Sequence, residues 1–206
     1  MAHARGVDVM VDGAHAFAQM AFAIPDLGCD YYGASLHKWL GAPLGAGILY
    51  VKRDKIASLW PIYADEGMAE TDIRKLNHTG THPVHTDLAI NAAIAFHNMI
   101  GTKRKEARLR YLQNYWTNKV RGMPNVELYT PTDPARSCAI ANVGIRGMDP
   151  LELAKSLLEK DKIFTVGYDQ AGVHGVRITP HVFTQPKELD KLVAAISRYA
   201  KRAQVG

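Results

Sequence analysis

Long apolar runs are missing from this 206-residue sequence. No stretch approaches the roughly 20 residues that a helix needs to cross a bilayer, so no transmembrane helix and no membrane partner are expected. Met1 to Gly6 contains no apolar h-region, and this chain is not expected to carry a secretory signal. Cysteine is scarce as well: Cys29 and Cys138 are the only two. They lie far apart in apolar, strand-like surroundings, which argues against a disulfide scaffold and suits a reducing cytoplasm. Low-complexity segments and internal repeats are absent, which excludes fibrous and solenoid architectures.

What is there is ordinary for a globular chain, 47% hydrophobic and 22% charged. The length suits one large domain or two small ones. The formal charge is +5, with basic residues thickest at Lys103-Arg104-Lys105, Arg108 and Arg110. Glu106 sits among them, and Leu109, Leu112, Trp116 and Val120 continue at helical spacing. The stretch is therefore read as a helix with a solvated basic face rather than as a nucleic-acid surface.

Along the chain, Ala2–Arg5 reads as the last turn of a helix closed by Gly6. Val7–Val11 then gives a short buried strand ending at Asp12-Gly13. Cys29–Ala34 is a second strand, and Ala46–Val51 a third behind the turn Gly41-Ala42-Pro43-Leu44-Gly45. Thr86 and Asp87 offer a cap for a helix over Leu88–Met99. Gly101-Thr102 punctuates the chain before the basic helix. Strands are expected at Val126–Tyr129, Ala139–Ile145, Ile163–Val166 and Val173–Thr179. One helix starts at Asp149-Pro150. A last helix is capped by Thr184, with Leu189, Leu192, Val193 and Ile196 on one face. The alternation predicts an α/β protein with a domain change near Gly101 to Lys103.

Three polar clusters fall at strand ends or in loops, where α/β folds place their sites. Taken singly each is a weak signal. Asp12 in Asp12-Gly13-Ala14-His15 would cap the next helix, Lys38 in Ser35-Leu36-His37-Lys38 would be a solvated lysine, and Gly80-Thr81 would bare backbone amides to an anion.

Taken together, Asp12-x-x-His15, Ser35-x-His37-Lys38, the glycine-rich turn running into Ile48-Leu49-Tyr50, and Gly80-Thr81-x-Pro83 stand in an order that resembles the class V aminotransferases. Near the end, Gly175-Val176-Arg177-Ile178-Thr179-Pro180 resembles the family segment bearing the substrate-carboxylate arginine. This is a family of pyridoxal-phosphate enzymes of fold type I. It includes cysteine desulfurases, selenocysteine lyases, kynureninases and isopenicillin N epimerase-like proteins.

The resemblance implies an α/β PLP-dependent transferase (aspartate aminotransferase-like) fold. Residues 1–101 would be the C-terminal part of a truncated large domain that binds the cofactor, and 102–206 a small C-terminal α/β domain. It implies pyridoxal 5'-phosphate carried by Lys38 as a Schiff base, with Asp12 at the pyridine nitrogen and His15 beside the ring hydroxyl. Ser35 and His37 would hold the phosphate. Gly80 and Thr81 would reach the phosphate of the neighbouring subunit, which implies a homodimer. Arg177 would grip the carboxylate of an amino-acid substrate.

Family chains also carry an N-terminal half of the large domain, with a helix N-terminus for the phosphate and a side chain stacked on the ring. Nothing here replaces these, so an inactive fragment or non-catalytic domain stands as a second reading. Desulfurases of the family attack sulfur with a cysteine in the loop ahead of the arginine, and Val166 to Val173 contains none. Aminotransferase, epimerase or lyase chemistry is therefore expected. A third reading, a zinc or iron site at His78, His82 and His85 with Asp12, is opposed by Pro83, which interrupts any helix that would align the three. No metal is assigned.

Overall fold

A computed structural model describes residues 1–62, 67–77 and 80–203. The chain divides into two compact units, Met1–Thr102 and Lys103–Gly206. Among the described residues, no helix is long and apolar enough to cross a membrane.

The first unit is built on a three-stranded sheet in the order β1 (Met10–Asp12), β2 (Tyr31–Ser35), β3 (Gly47–Val51). β1 and β2 run parallel, and β3 is antiparallel to β2. The strand expected over Val7–Val11 is shorter than its apolar run. The Val9 N–H donates to the buried Asp30 carboxylate at 2.8 Å, and the Val9 carbonyl accepts from both Asp30 and Tyr31 N–H. Regular pairing therefore begins only at Met10. That Val9 N–H, and after it His3 at 2.7 Å, lowers the pKa of the Asp30 carboxyl.

Helix α1 (Val84–Ile100) begins four residues earlier than its expected start at Leu88. Pro83, with no N–H to orphan, occupies the N-cap. Asp87 is engaged by His82 rather than capping, and Thr86 turns its hydroxyl to the Leu44 carbonyl.

In the second unit α2 (Thr102–Val120) precedes an antiparallel sheet in the order β4 (Val126–Leu128), β5 (Ala141–Ile145), β7 (Val173–Ile178), β6 (Val166–Gln170). Alternate strand residues Ala141, Val143, Ile145, Val176 and Ile178 face one core. Leu112, Trp116 and Val120 of α2 enter it, with Leu153 and Leu157 of α3 (Pro150–Asp161) and Leu189, Leu192 and Ile196 of α4 (Pro186–Arg202). Asp149 caps α3 through the N–H groups of Leu151 and Glu152.

Further boundaries and one face differ from the sequence expectation in the second unit. Ile163 does not open a strand: Lys162 turns left-handed and the Ile163 N–H bonds back to Leu157, closing α3. Thr184 does not cap α4. Its hydroxyl accepts from the His181 N–H, and Gln185 and Glu188 form a capping box instead. The basic face of α2 is not simply solvated. Lys105 is buried, which pushes its ammonium down to about 8. Arg108 donates to the Thr184 carbonyl at 2.9 Å, while Arg110 binds Glu106 and the carbonyls of Pro134 and Ser137. Both arginines thus donate to carbonyls of distant loops.

Candidate active site

Parallel pairing of β1 with β2 brings the C-terminal ends of both strands to one edge, with Asp12 opposite Gly33. Asp12 closes β1, and its Oδ1 accepts from the Ala14 N–H at 3.0 Å in a local turn. The other carboxylate oxygen is left to the exposed side. Gly13 is required between them: a Cβ there would fall within the Tyr32 ring, whose hydroxyl donates to the Gly13 carbonyl at 3.3 Å. Tyr32 is fully buried.

Ser35 ends β2, and the chain turns tightly beyond it. Leu36 N–H donates to Ala46 and Ala42 N–H to Leu36, both carbonyls closing the turn. Leu36, Trp39 and Leu40 are buried and anchor it, leaving His37 and Lys38 between them half-buried. From there Lys38 Nζ reaches 3.3 Å from His15 Nε2. An amine and an imidazole thus meet on the edge where Asp12 ends β1, and Ser35 and His37 precede the lysine in sequence by three positions and one.

Gly80 and Thr81 lie on the exposed turn leading into α1, with Gly80 at φ +69°. His82 accompanies them. Its ring lies 2.9 Å from Asp87 and 3.3 Å from the Gly80 carbonyl, and these two acceptors raise its pKa.

Arg177 belongs to the second unit, on central strand β7 between Asn142 of β5 and Val166 of β6. Its neighbours Val176 and Ile178 point into the core, so its side chain leaves the opposite face. Of the expected site residues, contact is therefore made between Lys38 and His15, with Asp12 on the adjoining turn. Gly80, Thr81 and Arg177 stand on other elements.

His78 lies outside the described residues. Among the described residues no three His, Cys, Asp or Glu side chains gather as metal ligands. Cys29 and Cys138 are both buried, and burial pushes the Cys138 thiol up to about 11, which suits a core residue rather than a nucleophile. Sequence reasoning missed Tyr32. The signal available was a glycine directly after a strand, beside an aromatic on the next strand.

The chain belongs to the class V aminotransferase family, whose profile, Aminotransferase class-V, matches residues 1–205. It is similar to isopenicillin N epimerase of Streptomyces clavuligerus, 29% identical over 212 residues that cover 95% of this chain and 53% of that one. Among solved structures, an apo cysteine desulfurase from Thermococcus onnurineus NA1 matches with a TM-score of 0.84 at 20% identity, over 97% of this chain and 54% of the other. A C-DES variant with glycine covalently linked to the PLP cofactor matches with a TM-score of 0.80 at 20% identity, over 93% and 51%. The fold is the expected PLP-dependent transferase fold. The chain spans about half the length of the curated relatives it matches.

Proposed function

We propose that this chain contributes the C-terminal half of a pyridoxal-phosphate active site that acts on an amino acid, with Lys38 as the cofactor lysine. The observation that carries this reading is the approach of Lys38 Nζ to His15 Nε2 at 3.3 Å, on the edge where Asp12 ends β1. In this reading the first unit is the C-terminal part of the cofactor-binding large domain, and the second is the small α/β domain.

The donor set fits the cofactor. A carboxylate at a strand end suits a ring nitrogen, an imidazole suits a ring hydroxyl, and a primary amine suits an aldehyde carbon. When bound, the cofactor supplies an electron sink that weakens the bonds at the α-carbon of an amino acid.

The chain's own residues do the rest. Asp12, fixed by the Ala14 N–H, keeps a proton on the ring nitrogen by opposing its charge. Lys38 moves a proton to and from the α-carbon, and His15, within hydrogen-bond reach of its Nζ, orients it. Ser35 Oγ and the His37 ring donate to the phosphate. Gly80 and Thr81, exposed ahead of α1, serve the phosphate of a neighbouring subunit, so the working assembly is a homodimer, and the free cysteines Cys29 and Cys138 suit a cytoplasmic setting. Arg177 would grip the substrate carboxylate with its planar fork.

The β6–β7 connection supports aminotransferase, epimerase or lyase chemistry over thiol attack. Val166–Gln170 and Val173–Ile178 pair as a hairpin joined only by Ala171-Gly172, which leaves neither a cysteine nor a loop to deliver one. The similarity to an isopenicillin N epimerase points the same way. An inactive fragment is the second reading, supported by the half-length match to the relatives.

Borohydride trapping separates the two. The chain is mixed with pyridoxal phosphate, reduced and mapped by mass spectrometry beside Lys38→Ala. One adduct at Lys38, absent from the variant, is expected. Labelling scattered over surface lysines and unchanged in Lys38→Ala would leave only the fragment reading.

A further inference from the structure

Asn142 and Arg177 stand directly opposite each other on the antiparallel strands β5 and β7. Directly opposed residues leave a sheet on the same side, with Cβ atoms about 4.5–5.5 Å apart. That side faces away from the core, because Ala141, Val143, Val176 and Ile178 fill the other. Two polar atoms of this pair, Asn142 Oδ1 and Arg177 Nε, are buried without a hydrogen-bond partner among the described residues. One accepts and the other donates.

Asn142 is held for the purpose. Its N–H donates to Thr130 Oγ1 at 2.8 Å, and its carbonyl accepts from the Tyr129 N–H at 3.2 Å. The carboxamide then lies along β7 over Gly175, where a Cβ would overlap Oδ1. Gly175 precedes Arg177 by two residues and so shares its face. The missing side chain leaves the carboxamide room beside the arginine.

We propose that Asn142 is a positioning residue for Arg177: when a ligand binds, its Oδ1, unpaired in this structure, accepts from Arg177 Nε and turns both Nη groups toward an amino-acid carboxylate. This rests on the carboxylate-binding role proposed above for Arg177. A guanidinium held at Nε presents its terminal edge for a two-point grip, and the bond to Asn142 directs that edge as the ligand arrives. A neutral carboxamide fixes the group without neutralising its charge. An aspartate in the same place would pair with the guanidinium and compete with the ligand.

The test measures binding of N-(5'-phosphopyridoxyl)-L-alanine, a stable mimic of cofactor joined to substrate, to the full chain by fluorescence. Asn142→Ala, Asn142→Asp, Arg177→Ala and the Asn142→Ala/Arg177→Ala double variant are compared, with thermal unfolding as the fold control. Asn142→Ser replaces Asn142→Ala if the latter does not fold. Losing a hydrogen bond to a charged group, Asn142→Ala should bind about 10-fold or more weakly, and Asn142→Asp more weakly still. The double variant should bind no worse than Arg177→Ala. The Arg177 Nε–H proton resonance, assigned by its loss in Arg177→Ala, should move downfield on binding in the parent and stay unmoved in Asn142→Ala.

Parent-like binding by Asn142→Ala beside weakened Arg177→Ala would overturn the positioning role and leave the Arg177 reading intact. Parent-like binding by Arg177→Ala, or no binding by the parent, would overturn the Arg177 reading and this inference with it.

Discussion

Lys38 Nζ stands 3.3 Å from His15 Nε2 although 23 residues separate them. The meeting is a product of parallel pairing: β1 and β2 end at the same edge, and each releases its polar residues there. Replacing His15 with Ala removes a hydrogen bond to the lysine, a loss that corresponds to roughly 10- to 100-fold for a charged group. Borohydride-trapped labelling of Lys38 by pyridoxal phosphate should slow by that factor in His15→Ala. An unchanged labelling rate would show that the contact has no chemical role.

Asp12→Asn separates the turn from the charge. Asparagine still accepts from the Ala14 N–H, so thermal stability should stay within about 0.5 kcal/mol of the parent. Retention of pyridoxal phosphate on dialysis should fall, because the ring nitrogen loses its anionic partner. If parent and variant retain cofactor equally, Asp12 is only a turn residue.

Gly13→Ala forces a methyl into the Tyr32 ring. Overpacking of a buried site costs about 1–3 kcal/mol, to be read from urea unfolding. Combined with Tyr32→Leu, the loss should be smaller than the sum of the two single losses, since the variants share one space. Simple additivity would contradict the close approach.

Lys105 gives the second unit a pH signature. The unfolded chain holds its proton up to about pH 10.5, but the folded chain holds it only to about 8, because burial penalises the charge. The unfolded state therefore binds more protons between those values, and the stability contribution of Lys105 rises with pH across that window. Lys105→Met should lack this rise, so the stability difference between parent and variant changes from about pH 8 to 10.5. Parallel stability curves would place the lysine in water.

Ala171 sits at φ +53° ahead of Gly172 in the β6–β7 turn. Asparagine tolerates that left-handed backbone better than alanine, and Asn-Gly is the preferred pair for a two-residue hairpin. Ala171→Asn is expected to stabilise the chain by about 0.5–2 kcal/mol, seen as a higher midpoint in urea. A lower midpoint would argue against this turn geometry.

Much of the candidate site was legible because its residues cluster locally. Asp12 and His15 are three positions apart, as are Ser35 and Lys38, and both pairs follow short strands whose ends the glycines mark. The stripe Leu109, Leu112, Trp116 and Val120 was equally plain, since helical spacing of apolar residues records a buried face, and all four are fully buried. Boundaries were less legible. Val7 to Val9 look like strand by composition, yet Asp30, distant in sequence, captures the Val9 N–H. Thr184 is a good cap residue, but a neighbouring backbone N–H claimed its hydroxyl. Local propensity cannot register a partner that arrives through the fold.

The sequence by itself determined the family, through the order of its short motifs. It also determined the helical core stripe of α2 and the lack of a cysteine between Val166 and Val173. These are properties of residue identity and spacing along the chain. Tertiary structure alone decided that Lys38 meets His15, that Lys105 is buried rather than solvated, and that Asn142 opposes Arg177. Each depends on strand register or on packing between distant segments. A shift of one residue in register turns a side chain to the other face of the sheet, and no local pattern in this chain fixes that choice.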